Sequence, residues 1–233
     1  MSKKISVRVL AEIAIFAALG FALDALQGGI FKGVFVNGGS IGIAMVAVFI
    51  IAYRRGLIAG LACGLVLSLV QMLGGVYVIS GATYDGAMKV IAPFIQILLD
   101  YVLGYTVVGI AGAFSGRYKK SDNFKQKMVW IIVGTVIAGL AKYACHVLSG
   151  GLFWLDPSIE FMGVNGGSWL YSFVYNGAYC IPNIIICTAV MILIAKIYPA
   201  FLDIKEEEKV EEKNVDFESE KEPEIVVAAK EDK

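Results

Sequence analysis

The chain has 233 residues, 58% of them hydrophobic and 17% charged, with a mean hydropathy of +0.73. A soluble domain averages about 45–50% apolar and about 25% charged residues, so a soluble globule, a coiled coil and a disordered chain are excluded for the bulk of the sequence. The formal charge of zero is segregated: residues 1–202 carry fourteen Lys and Arg against seven acids, and residues 203–233 carry six against thirteen.

A helix needs about 20 mostly apolar residues to cross the hydrocarbon core. Six candidates emerge in chain order, the second and third of them short: 7–26, 38–53, 57–73, 90–115, 128–150 and 171–197. The first follows Lys3, Lys4 and Arg8 as a signal peptide would, but it does not stop at a small-residue cleavage site and reads as a retained helix. Only Tyr53-Arg54-Arg55-Gly56 separates the second from the third, which predicts a tight helical hairpin. Arg117, Lys119, Lys120, Lys125 and Lys127 fill the connection from the fourth to the fifth. The alternate connections hold Lys32, then Asp85 and Lys89, then Asp156 and Glu160. This bias in short loops places both termini in the cytoplasm. The expected architecture is an all-α membrane protein, a six-transmembrane-helix bundle over residues 1–202. Residues 203–233 form an acidic cytoplasmic tail whose Glu, Lys, Val and Pro make-up favours a solvated disordered extension over a docking segment.

One histidine and four cysteines limit the chemistry. Cys63, Cys145, Cys180 and Cys187 have neither C-x-x-C nor zinc-like spacing, so no metal site and no disulfide framework is expected. No Gly-x-x-x-x-Gly-Lys-Ser/Thr occurs, so the chain carries no P-loop of its own.

The informative residues are polar ones inside spans, which are paired or face a cavity because each costs at least about 2.5–3.5 kcal/mol at mid-bilayer. Asp24 and Lys89 lie near span ends, where snorkelling to water explains them. Asp100 and Lys142 have a helical turn or more of apolar sequence on both sides. Given the predicted orientation, Asp100, Lys142 and His146 fall in the outer half of the membrane, with Tyr171, Tyr175, Asn176 and Tyr179 of the sixth span. Lys142 and His146, at i and i+4, share a helix face. Phe153 and Trp154 close the outer end of the fifth span. Taken singly, each has a plainer explanation: belt aromatics for Trp154 and Tyr171, a packing His146, helix glue for Asn176, a structural ion pair for Asp100 and Lys142. Together at one depth they suit a flat, cationic, hydrogen-bonding small molecule, held by ring quadrupoles and a carboxylate.

The stretch Leu140-Ala141-Lys142-Tyr143-Ala144-Cys145-His146, continuing to Phe153-Trp154, resembles the fifth-helix signature of the thiamine-specific substrate-binding (S) subunits of energy-coupling factor (ECF) transporters. Tyr171-Ser172-Phe173-Val174-Tyr175-Asn176 is similar to that family's sixth helix, and Leu99-Asp100-Tyr101 to its fourth. Glu12-Ile13-Ala14-Ile15-Phe16-Ala17-Ala18 and Arg54-Arg55-Gly56-Leu57 resemble the first helix and second hairpin, so the likeness spans about residues 5–200. The resemblance implies a six-helix membrane protein of a bacterial cytoplasmic membrane that captures thiamine from outside at high affinity. It implies no enzyme activity and no cofactor of its own, since a transmembrane coupling subunit and two cytoplasmic ATPases supply the energy. By position it implies substrate contacts at Asp100, Tyr101, Lys142, His146, Trp154, Tyr171 and Asn176, and a coupling-subunit contact at Ala14 and Ala18. Ordinary packing inside the bundle is the alternative for those two alanines. Where some relatives place a lid tryptophan, this chain reads Val36-Asn37-Gly38-Gly39-Ser40, leaving Phe31 or Phe35 as candidates to replace it.

Rival readings remain at this point. One is an S subunit for another vitamin or a precursor such as a hydroxymethylpyrimidine. A second is an intramembrane enzyme using Asp100, Lys142 and His146, but its one candidate nucleophile, Cys145, lies about 100° around the helix from His146. A secondary transporter would show internal repeats, and none is visible.

Overall fold

The computed structural model describes residues 6–204 apart from Lys32, Val36, Asn37 and Ser80. Six helices build the body: α1 (Val7–Phe31), α2 (Met45–Arg55), α3 (Leu57–Met72), α4 (Met88–Lys119), α5 (Phe124–Phe153) and α6 (Trp169–Ile197). A one-turn helix, α7 (Pro199–Leu202), follows. Helices α1, α4, α5 and α6 are long and apolar enough to cross a membrane. At 11 and 16 residues, α2 and α3 are shorter than a full crossing. Short polar side chains fix the starts of α5 and α6. Asn123 accepts from the Gln126 amide at 3.0 Å to cap α5, and Ser168 accepts from the Tyr171 amide at 3.3 Å to cap α6.

One expected span is corrected. Residues 38–44 are irregular rather than helical, and α2 begins only at Met45. Their backbone groups bond to side chains of other helices instead of to one another. The Gly42 amide donates to Asn183 Oδ1 at 2.7 Å, Asn183 Nδ2 donates to the Ser40 carbonyl at 2.8 Å, and the Ala44 amide donates to Gln27 Oε1 at 3.2 Å. Irregular backbone at membrane depth persists where protein surrounds it or where it lines a cavity, and both hold here. Gly39 sits at φ +114°, and a Cβ there would fall 2.6 Å from the Tyr179 ring. A second unforeseen feature is a two-stranded hairpin after α5, β1 (Glu160–Phe161) and β2 (Val164–Asn165), paired antiparallel. Beside it the Ser158 hydroxyl and amide both donate to Asp156 Oδ1, holding that carboxyl below its usual range.

Helix α4 is not uniform. It widens to a π-helical turn over Ile97–Val102 and tightens to 3-10 winding over Val107–Phe114. The tight part lies against α3 almost backbone to backbone, since a Cβ on Gly109 would meet the Gly60 carbonyl carbon at 2.2 Å. The wide part carries Asp100, and such wide turns recur at functional sites.

The main core joins all six helices through Ala17, Phe49, Leu67, Val108, Ile131 and Met191, all buried. A basic cluster closes one end of it. Glu12 pairs with Arg54 at 3.1 Å and with Arg55 at 2.6 Å, Lys119 Nζ donates to the Arg54 carbonyl at 2.5 Å, and Lys127 pairs with Asp203 at 3.0 Å. Leu202 and Ile204 are buried, so the packed body reaches Ile204, two residues past the expected boundary. The remainder of the expected tail, 205–233, lies outside the described residues, as do Lys3 and Lys4.

Candidate functional site

A cavity of about 540 Å³ opens between α1, α3, α4, α5, α6 and the segment 38–40. It lies well away from the basic cluster. Asp24 is twelve residues along α1 from Glu12, and Lys142 fifteen along α5 from Lys127, about 18 and about 22 Å of helix. All seven residues expected at a site line this one cavity: Asp100, Tyr101, Lys142, His146, Trp154, Tyr171 and Asn176.

Their bonding separates their roles. Asp100 Oδ2 accepts from Ser149 Oγ at 2.5 Å, and Oδ1 lies 3.2 Å from His146 Nδ1. The open alternative of an Asp100–Lys142 ion pair is not realised. Lys142 is buried, donates to the Gly104 carbonyl at 3.0 Å, and rests 3.9 Å from the centroid of the Tyr105 ring. The Asn176 amide nitrogen bonds to the His146 and Ser172 carbonyls at 3.3 and 2.9 Å, and its oxygen accepts from Tyr179 at 2.5 Å. Asn176 thus ties α6 to α5 as well as lining the cavity. Tyr171 and Tyr175 stack at 5.6 Å, and Tyr175 also donates to the Gly38 carbonyl at 3.0 Å, fixing the segment that borders the cavity.

At the mouth, Trp154 faces Tyr77 of the α3–α4 connection, with ring centroids 5.4 Å apart. The Tyr101 hydroxyl holds that connection by accepting from the Tyr77 amide at 2.7 Å. The candidates Phe31 and Phe35 do not line the cavity. Phe35 is buried edge-on against Tyr175 and Tyr179, at 6.0 and 5.4 Å, and serves a second small core. Val36 and Asn37 of the same stretch lie outside the described residues.

Asp24 is the other correction. Rather than snorkelling, it lines the cavity and accepts from Tyr105 Oη at 2.5 Å, from Gln27 Nε2 at 3.1 Å and from Gln71 Nε2. Gln27, Gln71, Tyr77, Tyr105 and Asn183 also line it and were not singled out from the sequence. The i, i+3 spacing of Asp24 and Gln27 in the otherwise apolar stretch 13–31 of α1 is the one local signal that marked them. Among the described residues no three His, Cys, Asp or Glu side chains gather as a metal site, and all four cysteines are free. Cys145 is absent from the cavity lining, so the intramembrane-enzyme reading lacks its nucleophile there.

Ala14 and Ala18 are exposed on the outer face of α1, whereas Ile13 and Ala17 are buried against the bundle. The alternative of packing inside the bundle is therefore excluded for them.

The family model described as thiamine transporter protein (Thia_YuaJ) matches residues 10–203. The chain belongs to the thiamine transporter protein family. It is similar to the thiamine transporter ThiT of Bacillus subtilis (strain 168), with 34% identity over 200 residues, covering 83% of this chain and 93% of that one. ThiT of Lacticaseibacillus paracasei is 24% identical over 202 residues, covering 85% and 92%. A solved structure of ThiT from Listeria monocytogenes superposes with a TM-score of 0.63 at 26% identity, covering 84% of this chain and 97% of that chain. The protein is accordingly a membrane protein of a transporter family and not an enzyme.

Proposed function

We propose that this chain is the thiamine-capturing S subunit of an ECF-type importer. The observation that carries the reading is one cavity that collects two carboxylates, a lysine, an imidazole and a set of aromatic rings at the end of the bundle remote from the basic cluster of Arg54, Arg55, Lys119 and Lys127. Thiamine has a flat aminopyrimidine ring that offers hydrogen-bond donors and acceptors, a thiazolium ring with a fixed positive charge, and a hydroxyethyl arm. Trp154 and Tyr171 offer ring faces to the planar groups. Asp100, oriented by Ser149 and His146, offers a carboxylate to the amino group and the cation. Tyr101, Lys142, His146 and Asn176 fix orientation through hydrogen bonds. High affinity follows from burying an aromatic cation among preorganised partners, because little side-chain freedom is lost on binding.

The positive-inside rule puts the basic cluster, and with it both chain termini, in the cytoplasm, so the cavity faces outward. Capture then needs no nucleotide and no cofactor. ATP is consumed by separate cytoplasmic ATPases, coupled through a transmembrane partner that docks on the small-residue face of α1 at Ala14 and Ala18. The test is binding by the purified full chain in detergent, with thiamine, hydroxymethylpyrimidine and riboflavin compared. Tightest binding of thiamine, with no ATPase activity, is expected. Tight riboflavin binding without thiamine binding overturns the reading.

A further inference from the structure

Among the described residues lining the cavity, the side chains with a formal charge are Asp24, Asp100 and Lys142. With His146 as the neutral imidazole, the lining is net −1. Lys142 bonds to neither acid, because its ammonium is taken by the Gly104 carbonyl and the Tyr105 ring face. The partners of Asp24 are a phenol and two carboxamides, from Tyr105, Gln27 and Gln71. They satisfy its oxygens and hold it in place without cancelling its charge. Gln27 is itself pinned, donating to Ser40 Oγ at 2.9 Å and accepting from the Ala44 amide at 3.2 Å. A carboxylate held so firmly in a partly dehydrated wall, with only neutral groups in hydrogen-bond contact, can still attract a positive charge that enters the cavity. The two carboxylates outnumber the one ammonium, so removing the charge of Asp24 leaves the empty lining neutral and the cation-loaded lining positive.

We infer that Asp24 is a specificity-determining residue of this cavity, which makes it neutral around a monocation and repels the same molecule once it carries a phosphate ester. This rests on the thiamine reading, since thiamine and its phosphates differ only by the added anionic groups. A phosphate monoester adds about −1.5 to −2 charges at pH 7. At an effective dielectric constant of about 20, one unit charge acting on another across about 8 Å already changes a Kd by more than tenfold.

The experiment measures Kd values of the purified full chain for thiamine, thiamine monophosphate and thiamine diphosphate. The unsubstituted protein is compared with Asp24→Asn, Asp24→Ser and Asp24→Glu, each first checked for its melting temperature. The unsubstituted protein should prefer thiamine to the diphosphate. Asp24→Asn and Asp24→Ser should shrink that preference at least tenfold, by weakening thiamine and sparing the diphosphate. Asp24→Glu, which restores the charge, should keep it within about threefold. An unchanged preference in folded Asn and Ser variants overturns the inference and leaves Asp24 as an anchor for Tyr105 and Gln71. Diphosphate bound as tightly as thiamine by the unsubstituted protein overturns it without any variant. Failure of the unsubstituted protein to bind thiamine at all removes the functional reading, and this inference with it.

Discussion

Replacing Asp100 by asparagine removes one negative charge from the cavity and keeps nearly the same volume. The asparagine oxygen can still accept from Ser149, which now donates to Asp100 Oδ2 at 2.5 Å, so the π-turn and the α4–α5 contact should survive. What is lost is the attraction between a carboxylate and a bound cation. The Asp100 side chain is 21% exposed, so this charge is partly screened by water at the mouth and the limit of a dry interior does not apply. With an effective dielectric constant of about 20, an ion pair about 4 Å apart attracts by about 4 kcal/mol before desolvation is subtracted. A hydrogen bond to a charged group nets about 1.5–3 kcal/mol in folded proteins. We therefore expect Asp100→Asn to raise the thiamine Kd roughly 10- to 150-fold. Isothermal titration in detergent measures it, with an unchanged melting temperature of the ligand-free variant as the check on folding. A folded Asp100→Asn variant that binds thiamine within twofold of the parent would refute the assignment of the cation's partner to this carboxylate.

Three further outcomes probe other parts of the molecule. Glu12→Gln removes the carboxylate charge that pairs with Arg54 and Arg55, at 13% and 7% side-chain exposure. It should lower stability by about 1.5–3 kcal/mol, read as a lower melting temperature, with thiamine affinity unchanged because the cavity lies about 18 Å further along α1. Ala14→Trp with Ala18→Trp places bulk on an exposed face, so the isolated chain should bind thiamine normally while uptake in cells and co-purification with coupling subunits are lost; intact uptake would remove docking from that face. Deleting residues 205–233 should leave thiamine affinity unchanged, because residues 202–204 lie beside the basic cluster, at the end of the bundle remote from the cavity, and a lost affinity in folded protein would show that the tail reaches the site.

The sequence by itself decided whatever depends on local composition and spacing. Hydropathy over about 20 residues is a sum along the chain, so it located α1, α4, α5 and α6 to within a few positions. The i, i+4 spacing of Lys142 and His146 follows from helix geometry alone, and the conspicuous cost of an ion among apolar residues marked Asp100 and Lys142. Asp24 escaped because its meaning depends on distant partners. Tyr105 comes from α4 and Gln71 from α3, and only the close α3–α4 crossing through Gly60 and Gly109 brings them to α1. The start of α2 escaped for the same reason. Residues 38–44 are apolar enough for a helix, but Asn183 and Gln27, far away in sequence, offer their backbone better-placed hydrogen bonds. The tertiary structure also chose between alternatives that the sequence left equal, giving Lys142 to a carbonyl and a ring rather than to Asp100, and turning Ala14 and Ala18 outward. Those choices belong to packing, in which each buried polar group takes the partner that the crossing of whole helices puts within reach.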